Sequence, residues 1–119
     1  MKRFFQVFLF SFLFIGCSTK QPPKTIILSK ESSKKTCENF ISRLDTSTNW
    51  RFIDAYTIDP ILLDEELANS DGIILTGGAD INPGRYGSES DTVKCGTIDY
   101  YRDSIEFVLL NYIKQTNKI

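Results

Sequence analysis

Asp71-Gly72-Ile73-Ile74-Leu75-Thr76-Gly77-Gly78-Ala79-Asp80-Ile81-Asn82-Pro83-Gly84-Arg85-Tyr86-Gly87 runs from an apolar strand through a glycine turn into a Pro/Gly-rich loop. Gly72-Ile73-Ile74-Leu75 is short and apolar on both faces, the pattern of a central parallel strand covered on both sides. It stops abruptly at Thr76-Gly77-Gly78, where glycine admits backbone conformations closed to a residue with a Cβ and leaves bare N–H groups pointing into the crevice beyond the strand's carboxyl end. Open α/β sheets take their ligands in that crevice.

Working outward, Thr25-Ile26-Ile27-Leu28 reads as a first buried strand, followed by a polar loop over residues 29–33. Cys37, Phe40, Ile41 and Leu44 then recur at i, i+3, i+4 and i+7, one apolar stripe of a helix, with Cys37 as a small core residue. Residues 50–57 are rich in aromatic and β-branched side chains and predict a second strand. Asp59-Pro60 has the form of an N-cap and a first-turn proline, opening a helix to about residue 69 with Leu62, Leu63 and Leu67 inward. Residues 79–98 form a long loop, and such length in a compact domain points to a functional or mobile segment. Asp99 can cap a last helix whose stripe is Tyr101, Ile105, Val108, Leu109, Tyr112 and Ile113. Strand and helix alternating in this order predict a parallel α/β sheet.

The 71–87 stretch resembles the gamma-glutamyl-gamma-aminobutyrate hydrolase family, within the class I glutamine amidotransferase-like proteins. The family pattern is D-G-hydrophobic-T-G-G-x-D-hydrophobic-D-P-x-x-Y-G, then D-x-x-R-D-x-x-E at a helix start. Asp71, Gly72, Thr76, Gly77, Gly78, Asp80, Pro83, Tyr86 and Gly87 fill the first block, and Asp99, Arg102, Asp103 and Glu106 the second. Asn82 stands where the family usually has Asp. The resemblance implies a flavodoxin-like three-layer α/β fold over residues 24–119, truncated after its N-terminal half. It implies hydrolysis of a gamma-glutamyl amide through a cysteine thioester, the nucleophile sitting on a G-x-C-x-G elbow downstream of the D-x-x-R-D-x-x-E helix. The sequence stops at Ile119, about where the strand before that elbow is expected.

The chemistry of the chain agrees. A thiol nucleophile needs a neighbouring base, most often histidine, to form thiolate near neutral pH, and the chain has none. Cys17 belongs to the N-terminal signal, Cys37 to a helix, and Cys95 to a loop without a Gly-x-Cys-x-Gly turn. Gly77 and Gly78 are candidate backbone donors of an oxyanion hole, where losing one donor typically costs about 3 kcal/mol; the resemblance gives one of them that role. Asp80, Asn82 and Tyr86 form the substrate loop, where Asp and Asn bond their own backbone and Tyr lays a ring over the crevice mouth. Asp99, Arg102, Asp103 and Glu106 are read mainly through helix physics, as first-turn acids and an i, i+4 ion pair contributing about a few tenths of a kcal/mol. No cofactor, metal or Cys37–Cys95 disulfide is expected.

Met1-Lys2-Arg3 is basic and residues 4–15 are almost wholly apolar, long enough for a signal-peptide core and too short to span a bilayer. Phe14-Ile15-Gly16-Cys17 resembles a bacterial lipobox, favoured here over a conventionally cleaved signal or an uncleaved anchor. Residues 1–16 are then the lipoprotein signal peptide, Cys17 the lipidated residue and membrane contact, and residues 17–23 a proline-containing tether. Removing 16 of 119 residues leaves 103 and shifts the formal charge from −1 to −3, against a nucleic-acid partner. The reading is a lipid-anchored protein of the bacterial cell envelope, outside the cytoplasm, whose gamma-glutamyl substrate binds only in a full-length form. The alternative is a lipid-anchored, non-catalytic α/β module that holds a small anion at the Gly-Gly turn.

Overall fold

The computed structural model describes residues 21–117. The expected signal peptide, Cys17 and the first part of the expected tether lie outside the described residues. Three parallel strands, β1 (Lys24–Leu28), β2 (Trp50–Asp54) and β3 (Gly72–Ile74), lie in the order β2-β1-β3. Three helices, α1 (Thr36–Leu44), α2 (Pro60–Asn69) and α3 (Tyr100–Thr116), follow them in turn. This is the opening of a flavodoxin-like sheet.

The register follows from the apolar runs and from one acid. Ile27 pairs with Ile53 on one side and with Ile73 on the other. Asp71 closes the start of β3 onto β1: its N–H donates to the Thr25 carbonyl at 2.7 Å, and its Oδ2 accepts the Thr25 N–H at 2.7 Å. The acid ahead of Gly72 thus fixes which residue of β3 meets which residue of β1.

The two faces of the sheet are unequal. Ile27 and Ile53 join Leu63 and Leu67 of α2 with Ile105 and Leu109 of α3 in one core cluster, so both helices cover one face. The β1-to-β2 and β2-to-β3 connections run in opposite lateral directions, and right-handed crossovers therefore put α1 on the other face. It stands there without α2 or α3 beside it. None of its residues is buried, and Phe40 and Leu44 are 62% and 71% exposed. The stripe Cys37, Phe40, Ile41, Leu44 is therefore correctly placed on a helix but does not form core, and Cys37 is half-buried.

Other expectations shift by smaller amounts. Asp59 caps α2, accepting the Ile61 N–H at 3.0 Å, with Pro60 in the first turn. Leu63 and Leu67 point inward, whereas Leu62 is 49% exposed, since the core takes one side of this helix only. β3 ends at Ile74, and Leu75 is 40% exposed. The strand lies at an edge of the three-stranded sheet, with Gly72 buried and Ile73 and Ile74 half-buried. The 79–98 segment contains two 3-10 turns, Pro83–Tyr86 and Glu89–Lys94, and a bridge from Asp80 to Ile98.

Leu67, fully buried between the sheet and α3, sets a measurable contrast with Leu44. Leu67→Ala is expected to cost about 2–5 kcal/mol by lost burial and cavity formation, and Leu44→Ala less than about 0.5 kcal/mol. Urea unfolding followed by Trp50 fluorescence checks both; equal losses would show that α1 is covered in solution.

Candidate functional site

β1 and β3 leave the sheet at the point where strand order reverses, and a cleft of about 740 Å³ opens between their carboxyl ends. Lys30, Glu31 and Ser32 line it after β1, residues 74–79 after β3, Thr36, Cys37 and Phe40 from α1, and Asp99 and Arg102 from α3. A switch point is where sheets of this class bind ligands.

The glycine turn is shaped by an arginine. Arg102 is 6% exposed although it carries a full charge. Its Nη2 donates to the Thr76 carbonyl, and its Nε donates to Glu106 Oε1 at 2.9 Å. The guanidinium lies against Gly78 so closely that a Cβ there would sit 1.5 Å from Nη1. A side chain at 78 would therefore have to displace the guanidinium. The expected left-handed backbone is not found at Gly77 or Gly78; the glycine with positive φ is Gly87, at 80°, where the Pro83–Tyr86 turn ends. A Cβ at Gly77 would meet nothing within 4 Å.

Ser29 completes the frame. Fully buried at the end of β1, it donates from Oγ to Glu106 Oε1 at 2.9 Å and accepts the Thr76 N–H at 2.9 Å. Thr76 Oγ1 donates in turn to the Lys30 carbonyl at 2.6 Å. Among the described residues no group accepts the N–H of Gly77 or of Gly78. Two backbone donors are therefore free beside a rigid frame of buried polar contacts.

A second cluster holds the start of α3. Asp99 accepts the Arg102 N–H at 3.0 Å as N-cap and takes Lys30 Nζ at 2.7 Å. Lys30 Nζ also lies 3.7 Å from the centre of the Tyr56 ring, which meets Tyr101 edge-on at 5.0 Å. The hydrogen bond from Lys30 holds the Asp99 carboxyl below its usual range, and the Asp99 carboxylate raises the Lys30 ammonium.

Of the substrate-loop candidates, one is held by the same helix. Asp80 Oδ2 accepts the Gly96 N–H at 2.7 Å, closing the loop on itself. Asn82 caps the Pro83–Tyr86 turn through Gly84 N–H at 3.1 Å, and its own N–H donates at 2.8 Å to Asp103, which is 3% exposed. Arg85 reaches Ser104 at 2.8 Å and lies over the Phe107 ring. Tyr86 is exposed, and none of Asp80, Asn82 and Tyr86 lines the cleft. Sequence reasoning undervalued Arg102 and Asp103. Helix spacing accounts for the Arg102–Glu106 pair but is blind to burial; the available signal was a charged pair on the apolar side of α3, with Asp103 two residues before Ile105.

Cys37 is the thiol in the cleft. Burial pushes it up, and the nearby Glu31 charge adds to this. Burial alone would raise Glu31 as well, but the N–H groups of Glu38, Ser32 and Cys37 outweigh it and hold that carboxyl low. Its oxygens accept those N–H groups at 3.1, 2.7 and 3.4 Å, so Glu31 occupies the amino end of α1. Cys95 contacts the Asp91 carbonyl at 3.6 Å from the end of a 3-10 turn. No group of acids, cysteines and histidines able to hold a metal occurs among the described residues.

The Lys30–Asp99 tie sets a pH window. A depressed carboxyl gives stability that is complete above its unfolded value, about pH 4, and is lost as pH falls through the folded value. A raised ammonium gives stability that is complete below about pH 10.4 and is lost as pH rises through the folded value. Near-ultraviolet circular dichroism of Tyr56 and Tyr101 should hold steady from neutral pH down to about pH 4 and change below it. Asp99→Asn keeps the cap and should remove the acid step; an unchanged acid step would assign it to another carboxyl.

Residues 15–118 match the Peptidase C26 family, and the chain belongs to it. A protein of Schizosaccharomyces pombe (strain 972) named "Putative glutamine amidotransferase PB2B2.05" is 41% identical over 44 residues, 37% of this chain and 17% of the relative. The chain thus spans a minor part of that relative's length. No solved structure is significantly similar to the chain.

Proposed function

We propose that this Peptidase C26 chain supplies the oxyanion side of a hydrolase of the gamma-glutamyl-gamma-aminobutyrate hydrolase type. The observation that supports the reading most is the pair of free backbone donors at Gly77 and Gly78, beside the switch-point cleft, in a glutamine amidotransferase-like domain. When a thiolate adds to an amide carbon, the carbonyl electron pair moves to oxygen, and donors fixed at that position stabilise the charge as it forms. The C–N bond then breaks with a proton going to the leaving amine, and water cleaves the thioester to release glutamate. Gly77 or Gly78 serves the first of these steps.

In this reading neither the nucleophile nor its base is among these 119 residues. The chain holds no histidine, and Cys37, the thiol within the cleft, is raised and not activated. Burial and a neighbouring carboxylate both oppose thiolate formation.

The rival, a small-anion binding module, loses one of its two natural anion positions to Glu31. A helix amino terminus is the second natural anion position in such a cleft, and the chain's own carboxylate already fills it at α1.

The N-terminal part of the proposal is a lipoprotein signal over residues 1–16, a lipidated Cys17, a short tether and a place in the bacterial cell envelope, supported by Phe14-Ile15-Gly16-Cys17 after the apolar stretch. No helix among the described residues is long and apolar enough to cross a membrane, which leaves lipid anchoring open. Metabolic labelling with a palmitate analogue should tag the wild type and not Cys17→Ala; equal labelling of both would remove the anchor from the proposal.

For the chemistry, the chain incubated with gamma-glutamyl amides should release no glutamate above background, and Cys37→Ser and Cys95→Ser should change nothing. Turnover abolished by either substitution would place the nucleophile within this chain. A G-x-C-x-G codon pattern shortly after the Ile119 codon, in any frame, separates the readings: its presence supports the hydrolase and its absence the binding module.

A further inference from the structure

We propose that Arg102 is the positioning residue of the oxyanion turn, holding the Thr76–Gly77 peptide in the orientation that presents the Gly77 N–H to a ligand. The inference rests on the hydrolase reading of the Gly-Gly turn and adds to it a residue that touches no reacting atom.

Three observations carry it. The Thr76 carbonyl is captured by the Arg102 guanidinium. Peptide bonds among the described residues are trans, so the N–H of that same peptide points the opposite way from the carbonyl. It points away from α3, on the side where no described group accepts it. Flipping the peptide would turn an N–H toward a buried cation and put a carbonyl oxygen where the oxyanion has to sit. Both changes oppose catalysis, and Arg102 opposes the flip.

The guanidinium is itself fixed on the other side. Glu106 Oε1 accepts Arg102 Nε and Ser29 Oγ, both at 2.9 Å, and Ser29 Oγ accepts the Thr76 N–H. Ser29, Thr76, Arg102 and Glu106 therefore close a ring that begins and ends at the turn. Gly78 leaves the space the guanidinium needs, since a Cβ would lie 2.7 Å from Cζ as well as 1.5 Å from Nη1. A lysine cannot replace this fork, because its single ammonium does not reproduce the planar set of donors.

The test uses the full ¹⁵N-labelled chain in a mild non-ionic detergent, with sodium acetate as a probe whose carboxylate oxygens stand in for the oxyanion. Wild type should show saturable shifts of the Gly77 and Gly78 amide signals. Arg102→Met combined with Glu106→Gln removes the pair without stranding a charge; Gly78→Ala displaces the guanidinium while keeping both charges. Losing a hydrogen bond to a charged acceptor corresponds to about tenfold or more in affinity, so each change should weaken acetate binding by about that much while the melting transition persists. Arg102→Lys should bind between wild type and the double variant, and Arg51→Met, at the exposed pair with Glu66, should bind as wild type. A folded Gly78→Ala or double variant with wild-type shifts would overturn the positioning role and leave the hydrolase reading standing. No saturable shift at either glycine in the wild type would overturn both.

Discussion

Arg102 is a charge taken out of water, and the turn beside it depends on how that charge is satisfied. A buried guanidinium is tolerated only with its donors paired. Here the partners are Glu106, on the same helix, and the Thr76 carbonyl, on the strand end. Such a pair adds little net stability, because desolvation offsets much of the attraction and an apolar replacement of similar volume often serves as well. What the pair supplies is position: it fixes one peptide plane at the carboxyl end of β3. Because of that packing, a side chain at 78 would have to displace the guanidinium.

The same helix organises everything around the cleft by dividing its length between two kinds of contact. Its first turns are polar and reach outward to loops: Asp99 to Lys30, Arg102 to Thr76, Asp103 to Asn82 and Ser104 to Arg85. Its later turns are apolar where they meet the sheet, through Ile105 and Leu109. The core holds the axis of α3 against β1 and β2, and the polar turns convert that fixed axis into fixed loop positions. Asp103, buried and bonded to a backbone N–H, ties the 79–98 segment to the domain more firmly than a loop of that length implies.

Strand and helix types were legible in the sequence because their periodicities are local. Asp59-Pro60 and Asp99 announced helix starts through capping chemistry that acts within three residues, and the structure has both caps. The parallel order was legible through alternation and through resemblance, and the strand order β2-β1-β3 agrees with it. Burial was not legible. Periodicity gives the side of a helix that is apolar, but not whether another layer lies against it, so the α1 stripe looked like core and is largely exposed. At the turn, two glycines in a row suggested unusual dihedrals, whereas the constraint on Gly78 comes from a side chain 24 residues later in the chain. Local rules cannot weigh a contact of that separation.

The electrostatics of the cleft bear on what it can stabilise. Its cations are paired, Lys30 with Asp99 and the Tyr56 ring, and Arg102 through Nε and Nη2 with Glu106 and Thr76. Its carboxylate Glu31 is held by backbone donors of the α1 amino end. A free cation here would attract any carboxylate, including the glutamate left after hydrolysis, and would bind ground state and product as well as transition state. Two neutral N–H donors discriminate better, since their attraction for an amide oxygen grows as the oxygen acquires charge. Only interactions that strengthen toward the transition state accelerate the chemical step. In the proposed reading, Gly77 and Gly78 are the neutral donors beside this frame that respond to charge developing on a substrate oxygen.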